Sequence, residues 1–580
     1  MRTLMGLLAG LSMLLAWESG LRAAETVPGE RRLPRDVVMY VSFRNVADLR
    51  AQWPKTLMGQ MYQDEALADV RRDFADELAK FSDRVRSQVG MGLEDLSNIP
   101  QGEAIAALAM QSDGKPAAVL LLDFGTQEEQ VRQLLGRLEE DAGNSDLKRR
   151  EEEFEETRIV TYFRESDDAN APPRDVAAYF VKETYLAAGS SAAILKSVLN
   201  RWDGKQDNIL AENPVYRYVT DKCREGSGES GPLVAWYLDP VGIIRAAMSM
   251  QPQGQGGMGM GMFLPMLPLI GADKFKGWGG SYDMAQGEFD TVSQMMVYIE
   301  PPVRGVPAIF QFDSAAQSPP KWVTAEASSY FTINWNLAKA YQATESLVDS
   351  LQGRGALSRL IEQLAASGQA GPLHLKKDMI DLLSGTVHVI SEWSDDATDD
   401  DEKFLVAAEV KNVAAAKASL RKLSQVPGVE IKEREFNGEA LYEIVADDGL
   451  AEEGDTTMAL SIAENQLVFA SDVRLLERLL RGAEGRELLS ESPVYRRVAQ
   501  KFPEKTASIG YSRQDTTLRT LFAALKSSGN PLMGNSGLEG LADKLPSYES
   551  LKKYMPAGGS YMQPDERGFK ILSFSLKNAE

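Results

Sequence analysis

Short apolar runs with a period of two alternate along this chain with stretches in which apolar residues recur every three or four positions. The first pattern puts successive side chains on opposite faces of a strand; the second builds one stripe along a helix. VVMYVSF at 37–43, rich in β-branched and aromatic residues, predicts a strand. Leu67, Val70, Phe74, Leu78, Phe81, Val85 and Val89 then predict a helix. AIAALAM (104–110) and AAVLLLDF (117–124) predict a hairpin, because QSDGKP between them holds an Asp-Gly turn signal. Residues 126–140 predict an amphipathic helix with Val131, Leu134, Leu135 and Leu138 on one face. Strands follow at 157–163 and within 176–189, then a helix over 190–202 with Ser190 as its N-cap. A short helix starts at Pro214, where the missing N–H of proline is not needed. A strand at 233–238, a helix from Pro240 and two strands around the Gly-Gly-Ser-Tyr run at 279–282 complete the series. Strands joined by tight turns imply antiparallel pairing with helices covering a face, an α+β fold.

The same order of elements is written twice. NPVYRYV (213–219) and SPVYRRV (492–498) share five of seven residues, with Pro214, Tyr216 and Arg217 matching Pro493, Tyr495 and Arg496. Gly279, Gly280 and Tyr282 match Gly558, Gly559 and Tyr561 in a second Gly-Gly-Ser-Tyr run. Tyr40 matches Tyr330, Leu186 matches Leu467, and Tyr237 matches Tyr511, at spacings that drift by a few residues as loop insertions would cause. The expected organisation is an internal duplication: a leader at 1–24, a first α+β domain at 25–305, a linker at 306–322 and a second domain at 323–580. The proline-rich 300–322 stretch marks the boundary. Seen in this setting, the Pro-Val-Tyr-Arg turn is a helix-start signature of the repeated domain, with Val215 and Tyr216 packing inward.

Three blocks, LPRDVVMYVSFRNVADLR (33–50), IGADKFKGWGGSYDMAQGEFDTVSQMMVYIEPPVRG (270–305) and LHLKKDMIDLLSGTVHVI (373–390), resemble exported bacterial proteins of the family labelled "domain of unknown function" 3352. The resemblance implies export and an α+β fold, and carries over no activity and no catalytic residue.

Composition narrows the functional classes. At 580 residues with 43% hydrophobic and 25% charged positions, the chain is globular and long enough for more than one core. A formal charge of −21 argues against nucleic-acid phosphates or anionic lipid as partners. Arg2, the apolar stretch at 4–17 and the small residues at 21–25 have the layout of a secretory signal peptide cut after Ala23 or Ala24. That layout places the protein in a periplasmic or extracellular compartment, with no membrane span after cleavage. Cys223 is the single cysteine, so no intramolecular disulfide forms, and it reads as incidental.

Candidate chemistry is sparse. His374 and His388 are the two histidines; neither sits in a zinc-ligand spacing, and His388, in the apolar GTVHVI, reads as a core or edge residue. GQGGMG (254–259) lacks the preceding strand of a dinucleotide site, and SLRK (419–422) and SLKK (550–553) lack the companion motifs of Ser-x-x-Lys enzymes. The acidic run at 394–403 lacks calcium-loop order and reads as a hydrated hairpin tip. Met258, Met260, Met262, Phe263 and Met266 form the one candidate binding surface. It reads as a glycine loop docked on its own domain, an adaptable surface for a protein or apolar ligand, or soft thioethers for Cu(I). No catalytic residue, cofactor or metal site is assigned. The leading expectation is a non-catalytic binding or envelope-associated module; the alternatives are an enzyme whose carboxylates and hydroxyls converge only in three dimensions, and Met-based Cu(I) handling.

Overall fold

The computed structural model describes residues 27–578 except 73–74, 77–78, 80–81, 84–97, 144–146, 167–171, 229–230, 251–263, 368–370, 394–401, 424, 427–429, 446–457, 514–545 and 547. The expected leader, Met258, Met260, Met262, Phe263, the dinucleotide-like GQGGMG and most of the acidic run therefore lie outside the described residues, as do Phe74, Leu78, Phe81, Val85 and Val89. Among the described residues no helix is long and apolar enough to cross a membrane. The chain divides into two compact units: 1–265 with 275–300 and 536–546, and 266–274 with 301–535 and 547–580. Within each unit the strand pairings are antiparallel, and helices complete an α+β fold.

In the first unit the strands are β1 (Val37–Phe43), β2 (Ala104–Met110), β3 (Pro116–Asp123), β4 (Lys148–Phe154), β5 (Thr157–Arg164), β6 (Arg174–Lys182), β7 (Tyr185–Gly189), β8 (Val234–Leu238), β9 (Phe275–Met284) and β10 (Phe289–Ile299). They pair in the order β4-β5-β6-β7-β3-β2-β1-β8-β9-β10. The helices that matter below are α1 (Val46–Gln52), α2 (Glu128–Gly143), α3 (Ala192–Leu199), α4 (Pro214–Arg224) and α5 (Pro240–Ser249). Period-two alternation sends Ile105, Ala107, Val119 and Leu121 to a core shared with α3 and α4. The intervening Ala104 and Leu122 join Val46, Leu49, Leu134 and Leu138 of α1 and α2 in a second core. Helices thus cover both faces of this sheet, where the sequence pattern implied one. That is why AIAALAM is apolar at every position rather than at alternate ones.

The second unit contains β11 (Ser329–Asn334), β12 (Leu383–Trp393), β13 (Glu402–Val410), β14 (Glu430–Phe436), β15 (Glu439–Val445), β16 (Met458–Ala463), β17 (Gln466–Ala470), β18 (Ser508–Ser512), β19 (Gly558–Asp565) and β20 (Gly568–Leu576). Their order is β14-β15-β16-β17-β13-β12-β11-β18-β19-β20, the order of the first unit shifted by ten strands. Registers also correspond. Tyr40 faces Tyr237 across β1 and β8, and Tyr330 faces Tyr511 across β11 and β18. A helix α6 (Pro493–Ala499) begins at the second Pro-Val-Tyr-Arg turn.

Two local readings change. The N-cap of α3 is Ser191, whose extended backbone lets Oγ accept from Ile194 N at 3.4 Å; Ser190 Oγ instead accepts from Ala118 N at 3.1 Å. The two Gly-Gly-Ser-Tyr runs are also displaced by one position against their ladders. Gly279 faces Tyr237, but it is Gly559, not Gly558, that faces Tyr511. A Cβ on Gly279 would lie 2.5 Å from Val219 Cγ1, and one on Gly559 would lie 2.6 Å from Val498 Cγ1. These two glycines let α4 and α6 approach the sheet at matching points.

Candidate functional site

The Pro-Val-Tyr-Arg turn is positioned by capping and packing. Asn213 Oδ1 accepts from Val215 N (3.0 Å) and Tyr216 N (3.2 Å), which starts α4 with Pro214 in its first turn. Tyr216 is buried and stands edge-on to Tyr40 and Tyr237, with ring centroids 5.6 and 5.4 Å away. Tyr495 meets Tyr511 in the same way at 5.4 Å. The arginines point elsewhere: Arg217 pairs with Glu212 at 3.5 Å on the surface, and Arg496 Nε donates to the Ser490 carbonyl. Tyr282, in β9, faces Val234, and Tyr561 in β19 faces Ile509, so the final tyrosines of the two runs hold different positions.

Beside Tyr40 and Tyr216 lies a cavity of about 330 Å³, lined wholly by residues of the first unit and open to one side. Its charged lining comes from four places: Glu30 in the turn before β1, Arg44 after β1, Glu103 just before β2, and Arg224 at the end of α4. Small side chains leave the space open, namely Cys223, Gly280 and Ser281. Cys223 is buried, its Sγ 3.6 Å from the Gly279 carbonyl, and its own carbonyl accepts from Ser281 Oγ at 2.7 Å.

Glu103 is the chemically distinctive group. Its Oε2 accepts from Gly29 N at 3.1 Å and from the Tyr185 hydroxyl at 3.4 Å, both neutral donors. Among the described residues no cation lies within ion-pair distance of it. Burial first, and repulsion from Glu30 second, push its pKa up to about 7; the Gly29 amide, Arg32 and Tyr185 act in the opposite direction. Arg32 is buried with its guanidinium over the Trp202 ring at 4.0 Å and the Tyr185 ring at 4.4 Å. Glu30, with a side chain only 15% exposed, pairs with Arg224 at 3.4 Å. Burial also raises the hydroxyls of Tyr40 and Tyr216 well above the usual phenol range, so both are neutral donors at physiological pH. The cavity therefore offers a carboxyl that titrates near neutrality, phenol donors and two guanidinium groups nearer the surface.

The second unit is closed at the corresponding place. The ladder position of Glu103 is taken by Thr386, which faces Asn334 as Glu103's position faces the end of β1. Phe502 packs on Tyr561 (6.4 Å) and Phe574 (6.1 Å), filling the space beside Gly559. Elsewhere in this unit Glu392 pairs with Arg478, while Glu326 binds Arg478 and Arg486 at 3.5 and 3.6 Å. These charges line a polar space of about 640 Å³ in this unit.

The remaining sequence candidates stay apart from the cavity. His388 Nδ1 bonds the Tyr330 hydroxyl at 3.0 Å in the core, and burial lowers its pKa to about 4. His374 caps a turn through Nδ1, accepting from Lys377 N at 3.4 Å. Met266 is 41% exposed and belongs to the second unit. Among the described residues no group of three or more His, Cys, Asp and Glu converges to hold a metal. Glu30 and Glu103 were not singled out by sequence reasoning; the available signal was a lone acid at the threshold of an otherwise apolar strand, QGEAIAALAM. No family model, curated protein or solved structure matches the chain.

Proposed function

We propose that the chain is an exported small-molecule binding protein made of two copies of one α+β domain, in which the first copy carries the ligand cavity and the second is filled at the corresponding place. The observation that carries this reading is the cavity in the first unit lined by a carboxyl group, Glu103, that makes no ion pair among the described residues. A polar group facing a cavity without its charge complement is the arrangement expected of a ligand site. Duplication is supported by the shared strand order of the two units and by the matching Tyr40–Tyr237 and Tyr330–Tyr511 pairings. Export rests on the leader-like N-terminus.

Native mass spectrometry of the protein purified from its own host tests the reading, alongside a Ser281→Tyr variant that narrows the cavity. The expected result is a co-purifying small molecule in the wild type that the variant loses. Equal behaviour of the two proteins overturns it. A second reading, acid–base catalysis, is favoured by the near-neutral titration of Glu103 beside two phenols. Recovery of the bound molecule chemically unchanged after prolonged incubation would remove that alternative.

A further inference from the structure

The strand β4 (Lys148–Phe154) ends its sheet and pairs only with β5 among the described residues, so its outer side presents a row of backbone N–H and C=O groups without a ladder partner. Lys148, Arg149, Arg150, Glu151 and Glu153 are exposed along it. The edge reads Lys-Arg-Arg-Glu-Glu-Glu-Phe, a basic block followed by an acidic block. Alternation sends Arg149 toward α2, where Glu139 lies 3.4 Å away, and Glu152 toward α3, where Lys196 lies 2.6 Å away. Both faces of the strand therefore carry a cation near its start and an acid near its end.

We infer that β4 pairs edge to edge with the β4 of a second copy of this chain, antiparallel about a two-fold axis, in a weak and salt-sensitive dimer contact. Such an axis, normal to the sheet, sets each residue opposite one on the same face. Placed at Glu151, it puts Arg149 opposite Glu153 and Arg150 opposite Glu152, each pairing occurring twice. Moved to Arg150, it puts Lys148 opposite Glu152 and Arg149 opposite Glu151. In either register opposite charges meet on both faces, and the only like pair is the residue on the axis. A charged edge of one sign keeps every copy away. A block of each sign repels a parallel copy in register and accepts an antiparallel one.

The matching edge of the second unit lacks this property. There β14 pairs only with β15 among the described residues and reads Glu-Ile-Lys-Glu-Arg-Glu-Phe. An axis at Glu433 sets Lys432 opposite Arg434, and one at Arg434 sets Glu433 opposite Glu435. No axis along β14 brings opposite charges together on both faces. In β4 most charges already have a partner within their own copy: Arg150 meets Asp175 at 2.8 Å, Glu151 meets Arg158 at 2.7 Å, and Lys148 meets Glu165. The contact joins these pairs into a network of side chains that are already held in place, so little further ordering is needed. A seam of one short strand buries less than the roughly 1,200 Å² of a standard interface, which makes the dimer reversible. The contact is independent of the cavity and of what the cavity binds.

Sedimentation velocity of the full chain over a concentration series tests the contact. A dimer is expected at about 0.05 M salt, with a dissociation constant at least about tenfold higher at about 0.5 M, where screening shortens the reach of surface charges. Hydrogen exchange should slow at residues 148–154 as the dimer forms, and β14 should be unaffected. Two charge variants then probe the pattern itself. Lys148→Glu with Arg149→Glu and Arg150→Glu makes the edge wholly acidic; Glu151→Lys with Glu152→Lys and Glu153→Lys makes it wholly basic. Each variant, once shown to keep the wild-type circular dichroism spectrum, should be monomeric alone, and an equal mixture of the two should associate again. If either variant does not fold, the salt series and the exchange pattern of the wild type decide the matter. A wild type that stays monomeric at low salt, a dimer indifferent to salt, or protection elsewhere than at 148–154 overturns the inference. So do folded variants that self-associate like the wild type, or a mixture of them that stays monomeric.

Discussion

Tyr40, Tyr216 and Tyr237 in the first unit hold the ladder and helix positions that Tyr330, Tyr495 and Tyr511 hold in the second. Around the first set the chain places Cys223, Gly280, Ser281 and Glu103. Around the second it places Phe502, Tyr561, Phe574 and Thr386, with His388 hydrogen-bonded to Tyr330 where the first unit has the buried Ile105. Similar strand pairings thus border an open polar cavity in the first unit and packed aromatic rings at the corresponding place in the second. Side-chain volume at a few positions decides which, because a protein interior tolerates little empty space unless small residues define it.

The tyrosine triads provide the sharpest test of likeness. Tyr216→Ala and Tyr495→Ala should each cost about 3–5 kcal/mol in denaturant melts, as loss of a buried aromatic ring does. A cost confined to one of them would break the comparison. The next effect separates the units instead. His388 has a folded pKa of about 4, below its ordinary value, so the neutral form is the one that stabilises the fold. Its contribution is complete above about pH 6.5 and is lost as pH falls toward 4, on the order of 3 kcal/mol. Substituting isoleucine, the residue of the first unit, should flatten that part of the stability–pH curve; an unchanged slope would sink the assignment. A smaller effect tests the one-position displacement of the glycine pairs. Gly559→Ala should destabilise by about 1–3 kcal/mol, because its Cβ meets Val498 at 2.6 Å. Gly558→Ala should cost clearly less, since the nearest atom is the Phe574 carbonyl oxygen at 3.0 Å. Equal costs would restore the simple alignment of the two runs. Arg217→Ala and Arg496→Ala should each change stability by less than about 0.5 kcal/mol, because both side chains make only surface contacts.

Much of the fold is legible in the sequence for local reasons. The strand at Val37–Phe43 and the helix start at Pro214 agree with their predicted bounds, since β-branching, alternation and proline act within a few residues. The Asp-Gly hairpin between β2 and β3 closes through Gln111 N to the Lys115 carbonyl, as its turn signal implies. Where a decision depends on a distant partner, the sequence is ambiguous. Ser190 and Ser191 are equally good caps on paper; the backbone of β3 takes one of them. Two glycines in tandem match their repeat in either register until a helix valine chooses between them. The cavity is the extreme case. Glu30, Glu103, Cys223 and Ser281 come from four separate segments, and nothing in their spacing announces that they share a wall. Cys223, set aside as incidental on sequence grounds, forms part of that wall.

That last placement gives the protein a built-in stopwatch. The chain has one thiol, and it borders the cavity, so every sulfhydryl that reacts in solution reports from the same spot. A small alkylating agent admitted to the cavity should label at a single mass increment, and a bound molecule should slow the labelling clock without any engineered probe. Occupancy can then be counted directly on the unmodified sequence, even before the occupant has been identified.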